Sequence, residues 1–292
     1  MAYGYRPRSS RRRSGSSRRP RSTRVRRRST RKAPYRPRRV MTKRRIINIT
    51  SRKKNDSMIP TRAAYDGTNA ANGGATFSGA SRQTIIFTPS TRDKQSGDPT
   101  ASSTRETDRI FVRGFKESIT LTSNSPASWR WRRVVFALKG FVDQLLPGLT
   151  AASGAQGYVR LIPDFSTAAA TTSRNLLESI LFRGAAGTDW QTVFTAKVDT
   201  QRVTLLSDKV RTLNSGNSNG RFFKHRQWYP INKTLLYGND ETGETENATQ
   251  NSVLSKPGIG DIFVVDFFEC ASGNAADQLY FEPECTFYWH EK

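Results

Sequence analysis

Residues 279–289 read Leu-Tyr-Phe-Glu-Pro-Glu-Cys-Thr-Phe-Tyr-Trp and alternate between two kinds of side chain. One set is apolar and shares a parity: Leu279, Phe281, Cys285, Phe287 and Trp289. The opposite parity is polar or amphipathic: Tyr280, Glu282, Glu284 and Tyr288. A period of two predicts a half-buried β-strand. Because Pro283 cannot donate a hydrogen bond to a ladder, it predicts a bulge or an edge within this strand.

Other segments carry strand signals as well. Residues 262–268 (Ile-Phe-Val-Val-Asp-Phe-Phe) predict a strand that is apolar on both faces. Residues 129–138 (WRWRRVVFAL) predict a strand whose apolar phase changes, which a bulge near residues 132–133 would reconcile. Composition and alternation predict further strands in these segments: 45–50, 83–88, 109–115, 118–122, 190–198, 201–213 and, as a pair interrupted by Pro230, 221–237.

The rest of the body reads as loops and one helix. Ser173 is the expected N-cap of that helix, and Gly184 its end. Its apolar stripe consists of Leu176, Leu177, Ile180 and Leu181. Residues 238–252 are acidic and polar, which predicts a solvated loop. Strands without βα alternation predict an all-β fold, either a sandwich or a jelly roll, for residues 46–292.

The N-terminal segment has a different composition. Residues 1–54 contain 23 Lys and Arg and no Asp or Glu, whereas the whole chain has 48 basic and 24 acidic residues and a net charge of +24. The remainder therefore carries 25 basic and 24 acidic residues. Segment 1–45, rich in Arg, Ser and Pro, lacks the apolar surface that would offset its ordering entropy, so we expect a disordered basic arm.

The arm predicts a polyanionic partner. Arg dominates over Lys, and a guanidinium binds phosphate with a two-pronged hydrogen-bond fork. No fixed element presents these side chains to base edges, so we expect binding without sequence readout. The basic clusters also fit a nuclear localisation signal. The candidate nucleic-acid-binding residues of the arm are Arg11, Arg12, Arg13, Arg18, Arg19, Arg21, Arg24, Arg26, Arg27, Arg28, Arg31, Lys32, Arg36, Arg38, Arg39, Lys43, Arg44 and Arg45.

Three further candidates, Arg130, Arg132 and Arg133, cluster at the start of a predicted strand. Either they face the same polyanion as the arm, or they form a solvated face or pair with acids of a neighbouring subunit. The sequence leaves both interpretations open.

The sequence predicts no enzymatic activity, no cofactor and no metal site. The chain has two histidines and two cysteines, and it lacks zinc-ligand spacing, a phosphate-binding loop and a nucleophile-elbow motif. His225 lies between Lys224 and Arg226, so we expect it in a basic patch. Cys270 and Cys285 are expected to be free buried thiols. No apolar run is long enough to span a membrane, so we expect no membrane insertion.

Several motifs resemble those of genomovirus capsid proteins, from circular single-stranded DNA viruses related to the geminiviruses. They are residues 113–117 (RGFKE), 129–133 (WRWRR), 230–235 (PINKTL) and 256–266 (KPGIGDIFVVD). The resemblance covers most of the chain from about residue 40. It implies an eight-stranded jelly-roll shell domain, a sixty-subunit T=1 icosahedral shell and a packaged single-stranded DNA genome. It also implies recognition by host nuclear import receptors and a location in the virion and the host nucleus.

Two other interpretations remain at this point. One is a cellular nucleic-acid-binding protein of chromatin or RS type, and the other is the capsid protein of an RNA virus. Sixty copies of the 23 basic residues would provide about 1,380 positive charges, which matches roughly 1.4 kilobases of single-stranded genome. The arm reads phosphate alone, so the sequence does not distinguish DNA from RNA.

Overall fold

A computed structural model of the chain describes residues 41–95, 101–140, 153–154 and 157–292. Its helices are α1 (Lys43–Thr50), a 3₁₀ turn (Ala168–Ala170) and α2 (Thr171–Leu181). Its strands are β1 (Arg52–Met58), β2 (Pro60–Ala64), β3 (Ala71–Asn72), β4 (Ala75–Ser78), β5 (Gln83–Phe87), β6 (Arg109–Ser123), β7 (Trp129–Leu138), β8 (Ser153–Gly154), β9 (Gly157–Tyr158), β10 (Arg160–Asp164), β11 (Thr204–Leu213), β12 (Arg221–Thr242), β13 (Thr245–Ser252), β14 (Asp261–Cys270) and β15 (Gln278–Glu291).

Eight of these strands form two antiparallel sheets with the orders β1-β15-β6-β12 and β5-β14-β7-β11. Numbered one to eight along the chain, the sheets read 1-8-3-6 and 2-7-4-5. Every connection except β7 to β11 crosses from one sheet to the other. This strand order is the eight-stranded jelly roll, and the predicted fold class is confirmed.

The two sheets are joined by apolar side chains from both. One cluster packs Val135 and Val264 of the second sheet against Phe115 and Phe287 of the first. A neighbouring cluster packs Trp129 of the second sheet against Leu121 of the first. These residues are at most 1% exposed. The interface between the sheets is therefore a dry core of interdigitated side chains.

The second sheet is buried on its other face as well. Val134 and Phe136 of β7 and Phe267 of β14 pack against Leu177 and Leu181 of α2 and the loops that follow it. The sequence predicted a strand apolar on both faces at residues 262–268, and this is confirmed. In β7 the same double burial explains the change of apolar phase. The register of β7 against β14 is continuous, so the expected bulge near residues 132–133 was wrong.

Several predicted elements are corrected by the structure. Residues 45–50, predicted as a strand, lie in α1, and residues 190–198 form turns rather than a strand. Strand β12 is a single strand with a register shift after Pro230, not a pair. Residues 238–252, predicted as a loop, include the end of β12, which pairs with β13 in a hairpin. The polar composition of residues 238–252 gave no sign of the β12–β13 hairpin, because the backbone hydrogen bonds of a hairpin tolerate polar side chains.

Two predictions at element boundaries had different outcomes. Helix α2 begins at Thr171 after Ala170, so Ser173 is not its N-cap, although Leu177 and Leu181 do form the buried stripe. In β15, strand β4 pairs with residues up to Phe281 and β1 with residues from Cys285 onward. Pro283 lies between them, where β15 is locally an edge, as its missing N–H predicts.

Candidate nucleic-acid interface

The predicted binding residues of the arm fall into two groups. Those from Arg11 to Arg39 lie outside the described residues. Lys43, Arg44 and Arg45 lie in the first turn of α1, directly before the edge strand β1. The structure therefore locates only the junction between the arm and the jelly roll.

Strand β1, which follows the junction, carries a buried charge. Lys54 of β1 is 4% exposed, and its Nζ lies 3.4 Å from Oε2 of Glu291 and within salt-bridge distance of Glu106. Glu291 also accepts a hydrogen bond from Nε1 of Trp289 at 2.7 Å. Lys54 is thus a structural residue that ties β1 to the C-terminal strand. The cationic segment available to a partner ends before it.

Two of the three body arginines do not face a polyanion, and that hypothesis is corrected. Arg132 is 4% exposed and binds both carboxylate oxygens of Asp208, at 2.9 and 2.7 Å. Its Nη1 donates to the carbonyl of Ala196 at 2.8 Å. Arg133 is 1% exposed. Both guanidinium groups are committed within their own chain, because a charge removed from water requires a partner.

Arg130 alone of the three reaches the surface. Its side chain is 49% exposed, forms an ion pair with Glu269 and lies 4.6 Å above the ring centre of Phe194. Alternation does not separate Arg130 from Arg132, which share a face of β7; Arg130 lies near the exposed start of the strand, whereas the backbone at Val193 and Ala196 covers Arg132. It remains a candidate contact for nucleic acid.

Arg133 belongs to a buried ion quartet, which we define as Glu117, Arg133, Arg160 and Asp266. Arg133 binds Asp266 through Nε at 2.6 Å and Nη2 at 2.7 Å, and its Nη1 donates to Glu117. Arg160 reaches Glu117 at 3.2 Å and Asp266 at 3.3 Å. All four side chains are at most 1% exposed. Glu117 lies in the first sheet and Asp266 in the second, so the quartet links the two.

The quartet is neutral as a whole, and its electrostatics follow from its geometry. Burial alone would raise the pKa of Asp266, but the charge of Arg133, its hydrogen bonds and the charge of Arg160 outweigh burial and lower it. Burial likewise opposes the charge of Arg133, yet Asp266 and Glu117 raise its pKa well above the usual range. Both groups therefore stay ionised inside the core.

His225 does not belong to a basic patch, contrary to the sequence expectation. The alternation of β12 turns Lys224 and Arg226 to the solvent and His225 inward, where its ring lies 5.2 Å from Trp131. Its Nε2 is buried without a hydrogen-bond partner. Burial first, and then the charges of Arg211 and Arg133, lower the pKa of His225. Burial and nearby cations lower the pKa of His290 as well.

These two histidines predict a loss of stability in mild acid. A lowered pKa means that the folded state binds the proton more weakly than the unfolded chain, whose histidines titrate near pH 6.5. The free energy of unfolding should therefore fall as the pH drops from 7.5 to 6. Thermal unfolding across this interval should show the decline in the wild type and a nearly flat profile in the double variant His225→Gln/His290→Gln. An unchanged slope in the double variant would contradict the assignment.

Burial makes the two cysteines unreactive. Cys270 and Cys285 are buried free thiols, as predicted, and burial raises the pKa of Cys285 well above its usual value. Among the described residues, no group of three or more His, Cys, Asp or Glu side chains is arranged to hold a metal ion. Within the same residues, no helix has the length and apolar character needed to cross a bilayer.

No protein-family model matches the chain, and no curated protein matches it. Among solved structures, Trichodysplasia spinulosa-associated polyomavirus VP1 in complex with 3'-sialyllactose aligns at 9% identity over 82% of this chain and 93% of that chain, with a TM-score of 0.14. The unassembled pentamer of Merkel Cell Polyomavirus VP1 aligns at 12% identity over 82% and 93%, with the same TM-score. TM-scores of this size do not establish a common fold. The jelly-roll assignment therefore rests on the strand order of this chain.

The sequence reading missed most of the buried arginines. Arg92, Arg105 and Arg160 are at most 1% exposed, and each guanidinium lies close to an aromatic ring or a carboxylate. The available signal was weak: Arg160 sits in the apolar run Tyr-Val-Arg-Leu-Ile, where a lone charge predicts a buried partner. It also missed the arrangement of β12, whose alternate residues place a tryptophan among cations on the surface.

Proposed function

We propose that this chain is a viral capsid subunit of the genomovirus kind, which assembles into a closed shell and packages a single-stranded DNA genome. The observation that carries the proposal is the pairing, in one chain, of an eight-stranded jelly roll with a terminal segment that holds 23 basic and no acidic residues. Jelly rolls of this kind build viral shells among other proteins. The concentration of positive charge in the N-terminal segment supports a shell-forming domain with a segment that binds the genome.

The buried charge of the body supports a structural role, since the four side chains of the ion quartet pair with one another inside the core. We propose no catalytic activity and no cofactor.

Strand β1 takes Arg52, Lys53 and Lys54, so 20 basic residues precede it. Sixty such segments would carry about 1,200 charges, which still suits a genome on the order of a kilobase. Packaging in the host nucleus requires entry there, and the arginine clusters would serve import receptors before assembly. The sixty-subunit T=1 shell, the nuclear step and the circular DNA are parts of the same proposal.

The purified protein is expected to form particles in the megadalton range in assembly conditions. Light scattering measures this mass, and electron microscopy shows whether the particles are closed shells about the size of a sixty-subunit capsid. A species of about 33 kDa under all conditions would contradict the proposal and favour a cellular nucleic-acid-binding protein. Nuclease digestion of the packaged material separates the cargoes, since resistance to RNase together with sensitivity to DNase requires DNA.

A further inference from the structure

The outer face of the β1-β15-β6-β12 sheet carries an aromatic side chain that does not contribute to the core of the jelly roll. Trp228 of β12 is 48% exposed, whereas Trp129, Trp131 and Trp289 are fully buried. Exposed tryptophan in a regular strand is unusual, because its large apolar surface gains most from burial.

The indole is held in place by its neighbours. It lies over Gly114 of the adjacent strand β6, where an added Cβ would come within 3.0 Å of Cζ2 of Trp228. Tyr288 of β15 contacts it edge-on, with ring centres 5.6 Å apart. The glycine makes room for the ring and the tyrosine fixes its orientation, so Trp228 presents a fixed aromatic surface.

Cations surround this surface. Lys116 lies directly opposite Trp228 in the β12–β6 register. Lys224 and Arg226 precede Trp228 on the same face of β12, and all three are exposed. No ion pair among the described residues involves these three cations. The acids of β15 on this face are Glu282 and Glu284; Glu284 is the diagonal neighbour of Lys116 across the β15–β6 ladder, and both are two strands from β12.

We propose that this face, defined by Trp228, Tyr288, Lys116, Lys224 and Arg226, is a fixed binding site for single-stranded nucleic acid. An unpaired base stacks on the ring of Trp228, and flanking phosphates pair with the three cations. Such a site tolerates every base because every base has a π-face. It rests on the proposed packaging function and adds a rigid contact to the flexible arm.

Nucleic acid fits this face better than a second copy of the chain does. Two identical faces brought together would oppose Lys116, Lys224 and Arg226 with themselves, and like charges in contact are unfavourable. The same three cations are complementary to the phosphate charges of a nucleic acid.

The test is a titration of the full chain with a single-stranded oligo(dT) of about 20 nucleotides, followed by tryptophan fluorescence. Three tryptophans are buried and Trp190 packs against Phe182, so quenching by a stacked base reports Trp228. We expect quenching in the wild type. The variant Trp228→Leu should lose it and bind about tenfold more weakly. Because the side chain is exposed, leucine should preserve folding.

A charge variant and its control complete the experiment. Lys116→Gln should weaken binding and reduce the log–log salt slope by about 0.7, the value for one phosphate contact with a single strand. Lys209→Gln, an exposed lysine in β11 of the other sheet, should change neither quantity.

Three outcomes overturn the inference. If Trp228→Leu retains both quenching and affinity, the face does not bind bases, while the packaging function stands on the arm. If Trp228 fluorescence changes on self-association without DNA and oligo(dT) adds nothing, a second copy covers the face. If the full chain does not bind oligo(dT) at low salt at all, the proposed packaging function fails as well.

Discussion

Deleting residues 1–42 should leave the jelly roll folded and reduce affinity for single-stranded DNA by about 10³-fold or more at low salt. The deleted segment contains 17 basic and no acidic residues. The described fold begins at Lys43 with α1, and none of the core clusters includes a residue before Met58. The thermal unfolding temperature of the dissociated subunit should therefore stay close to that of the full chain.

The salt dependence identifies the cause of the loss. Each phosphate released with the arm should make the log–log slope shallower by about 0.7. Fluorescence anisotropy of a labelled oligonucleotide, measured at several salt concentrations, gives affinity and slope together. Assembly should yield particles without nucleic acid, detected by their ultraviolet absorbance ratio. A truncated protein that binds as tightly as the full chain would remove the arm from the packaging role.

A longer deletion provides the matched control. Removing residues 1–58 also removes β1, which pairs with β15 from Arg52 to Met58 and buries Lys54 beside Glu106 and Glu291. That loss exposes Glu291 without its cation and leaves β15 as an open edge. We expect this protein to be insoluble or unfolded, so the two deletions bracket the start of the fold.

Replacing Asp266 with alanine should destabilise the folded subunit by about 3–5 kcal/mol, the cost of breaking a buried ion pair. Asp266 accepts hydrogen bonds from Arg133 and Arg160 and from Nε1 of Trp131 at 2.8 Å. Without it, two buried guanidinium groups share the single carboxylate of Glu117. The resulting net charge lies in a dry core with no solvent to screen it.

The control lies on the same strand. Glu269→Ala removes a carboxylate of β14 that pairs with Arg130, but these side chains are 35% and 49% exposed. Solvent screens such a pair, so we expect a change of about 1 kcal/mol or less. Urea unfolding of the dissociated subunit at fixed protein concentration measures both variants, because assembly would shift apparent stability. A loss below about 1 kcal/mol in Asp266→Ala would contradict a structural role for the quartet.

Much of the fold follows from local patterns. The alternation in residues 279–289 determines the orientation of β15, because successive side chains of a strand point to opposite faces. Pro283 predicts the local edge for an equally local reason. The double apolar character of residues 262–268 predicts a strand covered on both faces, which the packing of α2 confirms.

These local patterns did not predict which residues pair across long distances in the chain. The arginines at 132 and 133 looked like a surface patch because sequence shows their charge but not their partners, which lie 76 and 133 residues away. The polar segment 238–252 looked like a loop because its strands pair through the backbone and contain few apolar side chains. Helix α1 looked like a strand because Ile46, Ile47 and Ile49 suit either structure when burial is unknown.

By itself, the sequence determined the all-β class and the separation of a cationic leader from a nearly neutral body. Composition and period two are local properties, and they need no knowledge of neighbours. Only the tertiary structure decided which charges are buried and which face of a sheet carries a tryptophan among cations. Those outcomes depend on strand order and register, which are fixed by the packing of residues far apart in the chain.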